Sequence, residues 1–129
     1  AFTSDTHRNV DLYVMQADGS QQTRLTATTA HERGPVWSPD GRFLAMVVES
    51  DDTRRDIFLW QLETGDMQPI TALGSVDQRI AWSPDGRHIV FTADVDQTSA
   101  VYVVEVASGS LMRLTPDGSL TYADPAWTR

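Results

Sequence analysis

Two kinds of apolar run recur along the chain. One reads RFLAMVVE (42–49) and RHIVFTAD (87–94); the other reads DIFLWQL (56–62) and AVYVVEV (100–106). They are rich in β-branched and aromatic residues and too short for typical helices, so each predicts a strand. Neither run alternates cleanly between apolar and polar positions. A sheet with one wet face alternates, whereas a near-continuous apolar run predicts a sheet covered on both faces.

Turn chemistry separates the runs. Ser38-Pro39-Asp40-Gly41 and Ser83-Pro84-Asp85-Gly86 place Ser first, Pro second and Gly fourth, the composition of a type I turn. Both prolines fall at strand ends, where a missing N–H costs little. ADGS, ETGD and ASGS put a glycine between the second run and a short following segment, predicting a second tight hairpin.

The pattern repeats. Trp37, Trp82 and Trp127 are spaced by 45 and 45 residues, and DLYVMQADGSQQTRLT, DIFLWQLETGDMQPIT and AVYVVEVASGSLMRLT begin at Asp11, Asp56 and Ala100. A period of about 40–45 residues is one four-stranded propeller blade. The fold class expected is therefore all-β: propeller blades of four antiparallel strands, about three per chain, half of a six-bladed ring.

Within a blade the strands are A to D from the axis outward. Strand A is expected at Gly34–Ser38, Arg79–Ser83 and Asp124–Thr128, with each tryptophan packed between blades. The chain reads as one propeller unit with blades at approximately 1–26 plus 124–129, 34–71 and 79–115.

Ala1-Phe2-Thr3-Ser4-Asp5 aligns with Val90-Phe91-Thr92-Ala93-Asp94, so the first blade is entered midway along strand B. DPAWTR, at the other end, has the character of the strand A which that blade lacks. Phe2, Pro125 and Trp127 are the expected closure residues. Three blades form an arc whose two apolar faces need cover, and two copies in a head-to-tail arrangement would make six blades. A homodimer with strand exchange is the expectation.

At WSPDGRFLAMV, DIFLW and RLT the chain resembles the TolB-like β-propeller repeat family. That family's repeat reads approximately W-S-P-D-G-x-x-I-A-F, then D-I-Y-V-M-x-A-D-G, then R-L-T. DLYVMQADGSQQTRLT is a close copy; the second repeat departs from it at LWQLETGDMQPIT. The resemblance covers essentially the whole chain and implies the propeller fold with Trp37, Trp82, Asp40, Asp85, Gly41 and Gly86 as structural repeat positions. It also implies a periplasmic or extracytoplasmic setting. Similar repeats build periplasmic TolB and the propeller caps of prolyl-oligopeptidase-type serine peptidases.

Composition narrows the function classes. The 129 residues suffice for one domain, and no apolar run approaches the roughly 20 residues of a membrane helix. The N-terminal AFTSDTHRNVDLYV has no basic region followed by an apolar core, so no export signal is visible, although a mature chain would already have lost one. There is no cysteine, and all ten basic residues are arginine, which excludes thiolate, disulfide and lysine chemistry. A net charge of −8 argues against a nucleic-acid partner and against an anionic membrane.

No Gly-x-Ser-x-Gly elbow, His-Glu-x-x-His or phosphate loop occurs. Asp51-Asp52 and Asp94-Val95-Asp96 are placed in B–C loops, lack a calcium-loop spacing, and are expected to cap their turns. His7, His31 and His88 have no i, i+4 histidine partner, so no metal site is expected. No cofactor is expected either.

The residues entering the A strands remain: His31-Glu32-Arg33, Asp77-Gln78-Arg79 and Tyr122-Ala123-Asp124. Glu32, Asp77 and Tyr122 are repeat-equivalent, as are Gly34, Arg79 and Asp124. A channel mouth ringed by His31, Glu32, Arg33, Asp77, Gln78, Arg79, Tyr122 and Asp124 is the candidate binding site for a protein or peptide. The alternative is solvated charges pairing among themselves. The expected function is a non-enzymatic, self-assembling scaffold. The competing readings are a propeller cap fragment of a serine peptidase and an engineered or truncated structural fragment without a ligand.

Overall fold

The chain folds as three antiparallel sheets set side by side, each built from strands consecutive in sequence. The computed structural model describes residues 1–6, 9–50, 53–116 and 121–128; His7, Asp51, Asp52 and Arg129 lie outside the described residues. The first sheet orders β1 (Phe2–Ser4), β2 (Asp11–Val14) and β3 (Thr23–Arg24). The second orders β4 (His31–Trp37), β5 (Phe43–Glu49), β6 (Arg55–Gln61) and β7 (Met67–Pro69). The third orders β8 (Val76–Trp82), β9 (His88–Val95), β10 (Thr98–Glu105) and β11 (Leu111–Arg113). This is the all-β, four-strand blade expected from the repeat.

The turn between β4 and β5 shows why the WSPDG phrase recurs. Ser38 Oγ bonds Asp40 Oδ1 at 2.7 Å and accepts the Phe43 N–H at 2.9 Å, while Asp40 Oδ1 accepts the Arg42 N–H at 3.1 Å. Gly41 N–H closes the turn on the Ser38 carbonyl at 2.9 Å, with φ at 70°. Ser83, Asp85, Arg87 and His88 repeat the same bonds. These contacts hold both Asp40 and Asp85 below the usual carboxylate range, the serine hydroxyl first and the backbone N–H next.

The final threonine of RLT has an equally local cause. Thr26, Thr71 and Thr115 each accept, through Oγ1, the N–H of Leu12, Ile57 and Val101 at 2.9, 2.9 and 3.0 Å. Asp56 strengthens this lock by accepting from Thr71 Oγ1, Leu73 N–H and Gly74 N–H. Ala100 stands at the corresponding place in the third sheet and brings no carboxylate of its own.

Side chains leave each sheet in two directions, and both are covered in the middle one. Leu44, Met46 and Val48 pack towards the first sheet with Leu12, while Ala45, Val47, Ile57 and Leu59 pack towards Ile89, Phe91 and Tyr102 of the third. The two-sided burial explains the apolar runs that refused to alternate.

Two sequence expectations need correction. The inner strands begin at His31 and Val76 rather than Gly34 and Arg79, because an irregularity in register between Arg33 and Val36, and between Val76 and Ile80, lets pairing with β5 and β9 continue. Asp94 is likewise not in a loop. It belongs to β9, opposite Ser99, and the connection to β10 is the two-residue Asp96-Gln97 turn with both φ positive (51° and 62°).

Candidate functional site

The inner strands converge at one edge of the arc: β4 lies against β8, and the segment 121–128 follows the third sheet. Trp82 donates its indole N–H to the Val36 carbonyl at 3.2 Å, and Trp127 donates to the Ala81 carbonyl at 3.1 Å. The tryptophans are therefore more than packing. Trp82 contacts the core, but Trp37 and Trp127, at the two ends, are 42% and 38% exposed.

Gly34 of β4 sits close against the backbone of β8. Its φ is 56°, and a Cβ there would stand 2.7 Å from the Gln78 carbonyl oxygen. Asp124, three residues before its own tryptophan as Gly34 is, repeats this conformation with φ at 51°. Asp tolerates the left-handed region better than most residues.

The predicted channel set divides. Gln78, Arg79 and Asp124 line one shallow recess with Gly34 and Pro125, of about 330 Å³, and a second with Asp77, of similar size. Arg79 of β8 pairs with Asp124 at 3.0 Å, with side chains 75% and 58% exposed; residues 121–128 form no strand, against the strand A expected at Asp124–Thr128. Asp77 accepts the Thr92 hydroxyl proton at 2.6 Å. Arg33 is turned to Glu49 at 3.0 Å, and Tyr122 is tethered by its N–H to Ser99 Oγ at 3.4 Å. Arg55 and Thr92 join the second recess and were not anticipated. Arg55 precedes the Asp56 lock at the start of strand C, and that place in the repeat is the signal that would have found it.

His31 and Glu32 do not belong to an open mouth. His31 Nδ1 accepts the Val10 N–H at 3.0 Å, and the Glu32 N–H bonds the Val10 carbonyl, tying β4 to the first sheet. The Glu32 side chain is 0% exposed, its carboxylate accepting from Thr28 Oγ1 at 2.7 Å and Thr26 Oγ1 at 3.0 Å. The expectation of a solvated Glu32 fails because two threonine hydroxyls and Asp11, paired with Arg24 at 2.6 Å, make a polar pocket between the sheets.

Burial raises the Glu32 carboxyl above its ordinary value of 4.5, the hydroxyls oppose this, and nearby Asp11 adds to it. The folded state thus holds the proton more tightly than the unfolded one. Glu32 supports folding below about 4.5, and that support is lost as pH rises through the elevated folded value. Glu32→Gln is expected to raise the melting temperature at about pH 7 and to give no gain near pH 4. Thermal melts at the two pH values check it; an equal shift at both would contradict the buried-carboxyl assignment.

What the arrangement offers chemically is a shallow, mixed-charge surface, with Arg55 and Arg79 beside Asp77 and Asp124. Among the described residues, no group of three or more His, Cys, Asp or Glu is placed to hold a metal ion.

Comparison with known proteins matches these features. TolB from Acinetobacter baumannii superposes with a TM-score of 0.73 and 28% identity, covering 86% of this chain and 28% of that one. A putative TolB from Agrobacterium tumefaciens gives 0.75 and 24%, covering 88% and 41%. An oligogalacturonate lyase from Vibrio parahaemolyticus, at 0.71 and 17%, covering 89% and 36%, shares the fold alone. The chain thus spans less than half the length of each of these structures. No curated protein sequence matches it. The TolB beta propeller domain model matches residues 1–129, and with three sheets of the propeller type built from its repeats, the chain belongs to that family.

Proposed function

We propose that the chain is a non-enzymatic propeller scaffold that assembles with itself, two three-bladed chains making a six-bladed ring, and offers its axial edge to a protein or peptide. One observation carries the reading: both ends of the arc expose side chains that a neighbouring sheet covers elsewhere. At one end Phe2, Tyr13 and Met15 occupy the places of Phe91, Tyr102 and Val104, which are buried against the second sheet. Phe2 and Tyr13 stack at 5.4 Å as Phe91 and Tyr102 do at 5.8 Å, but Met15 is exposed. At the other end Leu114 is exposed where its counterpart Ile70 packs into the core, and Met112 is 62% exposed beside it. Apolar ends of this kind call for a partner, and a head-to-tail contact that closes after a rotation supplies one.

The axial edge suits a ligand carrying both charges. Arg79 and Asp124 bond each other across an exposed gap, a pairing that contributes little to folding. A peptide-like or zwitterionic partner competes for both groups, and the ring presents them twice. Replacing Arg79 and Asp124 together by alanine is expected to alter stability by only about 0.5 kcal/mol while weakening capture of library-selected peptides about tenfold, the loss of one charge-assisted contact. Melting temperature and peptide titration on the same pair of proteins decide it. A large drop in melting temperature would make the pair an internal lock, and unchanged peptide affinity would move the binding surface elsewhere.

A further inference from the structure

Away from the axial edge, a groove of about 490 Å³ runs where the second and third sheets meet. Phe43, Leu59 and Gln68 line one wall, and Arg87, Glu105 and Val106 the other. A second recess of about 340 Å³ continues it at the next positions, between Pro69 and Ile70 on one side and Gly109 and Leu111 on the other. Each volume falls in the range of roughly 300–1,000 Å³ found for ligand sites. Both walls belong to four-stranded sheets, and neither recess shares a residue with the axial ones.

The repeat explains why this junction is open. In repeat order Trp60 corresponds to Val104, Gly65 to Gly109 and Met67 to Leu111. Between the first and second sheets, Trp60 and Met67 pack on Leu12, Leu44 and Met46. The Trp60 ring reaches the following hairpin, 3.7 Å from where a Cβ on Gly65 would stand. Between the second and third sheets a valine replaces that ring and fills far less of the junction. Val104 is fully buried, yet Leu111 beside it stays 41% exposed.

Charge selects the occupant. Arg87 has the Asp85 carboxylate as a counter-charge. Glu105 accepts the Ser108 hydroxyl and forms no ion pair among the described residues. The net charge of −8 also draws cations towards the chain. Two apolar recesses at successive positions suit an extended segment, whose alternate side chains point the same way. We infer that the groove docks an extended peptide segment with apolar side chains at alternate positions and a lysine or arginine two residues beyond, the cation meeting Glu105.

Isothermal titration with the acetylated, amidated peptide Lys-Ser-Leu-Ser-Leu-Ser-Lys tests this, beside a counterpart with glutamate in place of both lysines. The lysine peptide is expected to bind with Kd below about 1 mM, at least about tenfold tighter than the glutamate one. Glu105→Arg reverses the charge that meets lysine, and Ala107→Trp places a ring at the larger recess. Each is expected to weaken binding about tenfold. Both positions are exposed, so melting temperatures are expected to change little, which separates lost binding from lost folding. Equal or tighter binding of the glutamate peptide would overturn the assignment to Glu105. No measurable binding of the lysine peptide, or equal binding by the parent and both folded variants, would overturn the site itself.

Discussion

Phe91→Ala is expected to lower the unfolding free energy by about 3–5 kcal/mol, the range for removing a buried aromatic ring from a packed core. Phe91 is 0% exposed, stacks on Tyr102, and belongs to the cluster joining Ala45, Val47, Ile57 and Leu59 of the second sheet to Ile89 and Val104 of the third. Alanine would leave a void on the contact that makes two sheets one body, and sheets alone cannot bury both faces. Urea denaturation followed by tryptophan fluorescence measures the loss. A change under about 1 kcal/mol would mean that the site collapses freely, and that the second and third sheets are not held together as described. Phe2→Ala removes the repeat-equivalent ring from a half-buried place, so its cost in dilute solution is expected to be clearly smaller.

Gly34→Ala is expected to cost about 2–4 kcal/mol through two separate causes. The residue holds φ at 56°, which L side chains adopt only under strain, and the new Cβ would meet the Gln78 carbonyl oxygen at 2.7 Å. That oxygen is backbone, so relief requires β8 to move away from β4, stretching the Trp82 bond to Val36. Asp124→Ala at the equivalent position meets no such obstacle in the described residues and should cost well under half as much. Paired melting curves of the two variants check this. Equal losses would show that backbone conformation alone, and not the close approach of the inner strands, sets the cost at Gly34.

Much of this architecture is legible in the letters because its causes are local. Ser38, Asp40 and Gly41 satisfy one another within a single turn, and the duplicate at Ser83, Asp85 and Gly86 exposes the period. The uninterrupted apolar letters of β5 report two covered faces. Glu32 was not legible. Flanked by His31 and Arg33 it reads as a solvated charge, and only Thr26 and Thr28, hydroxyls upstream of it, hint at a buried carboxyl. The tryptophan bond escaped for a different reason. Its acceptor is a backbone carbonyl in the preceding repeat, and a carbonyl has no letter of its own. Strand A was drawn too short because a β-bulge leaves no mark in Arg33-Gly34-Pro35 except the glycine.

The central proposal is that two of these three-bladed chains assemble into one six-bladed ring. Sedimentation equilibrium of the 129-residue chain at micromolar concentrations tests it most directly. A single species of twice 14.3 kDa, with no larger open chains, is predicted. A compact, monodisperse species of 14.3 kDa across the same concentrations would contradict it.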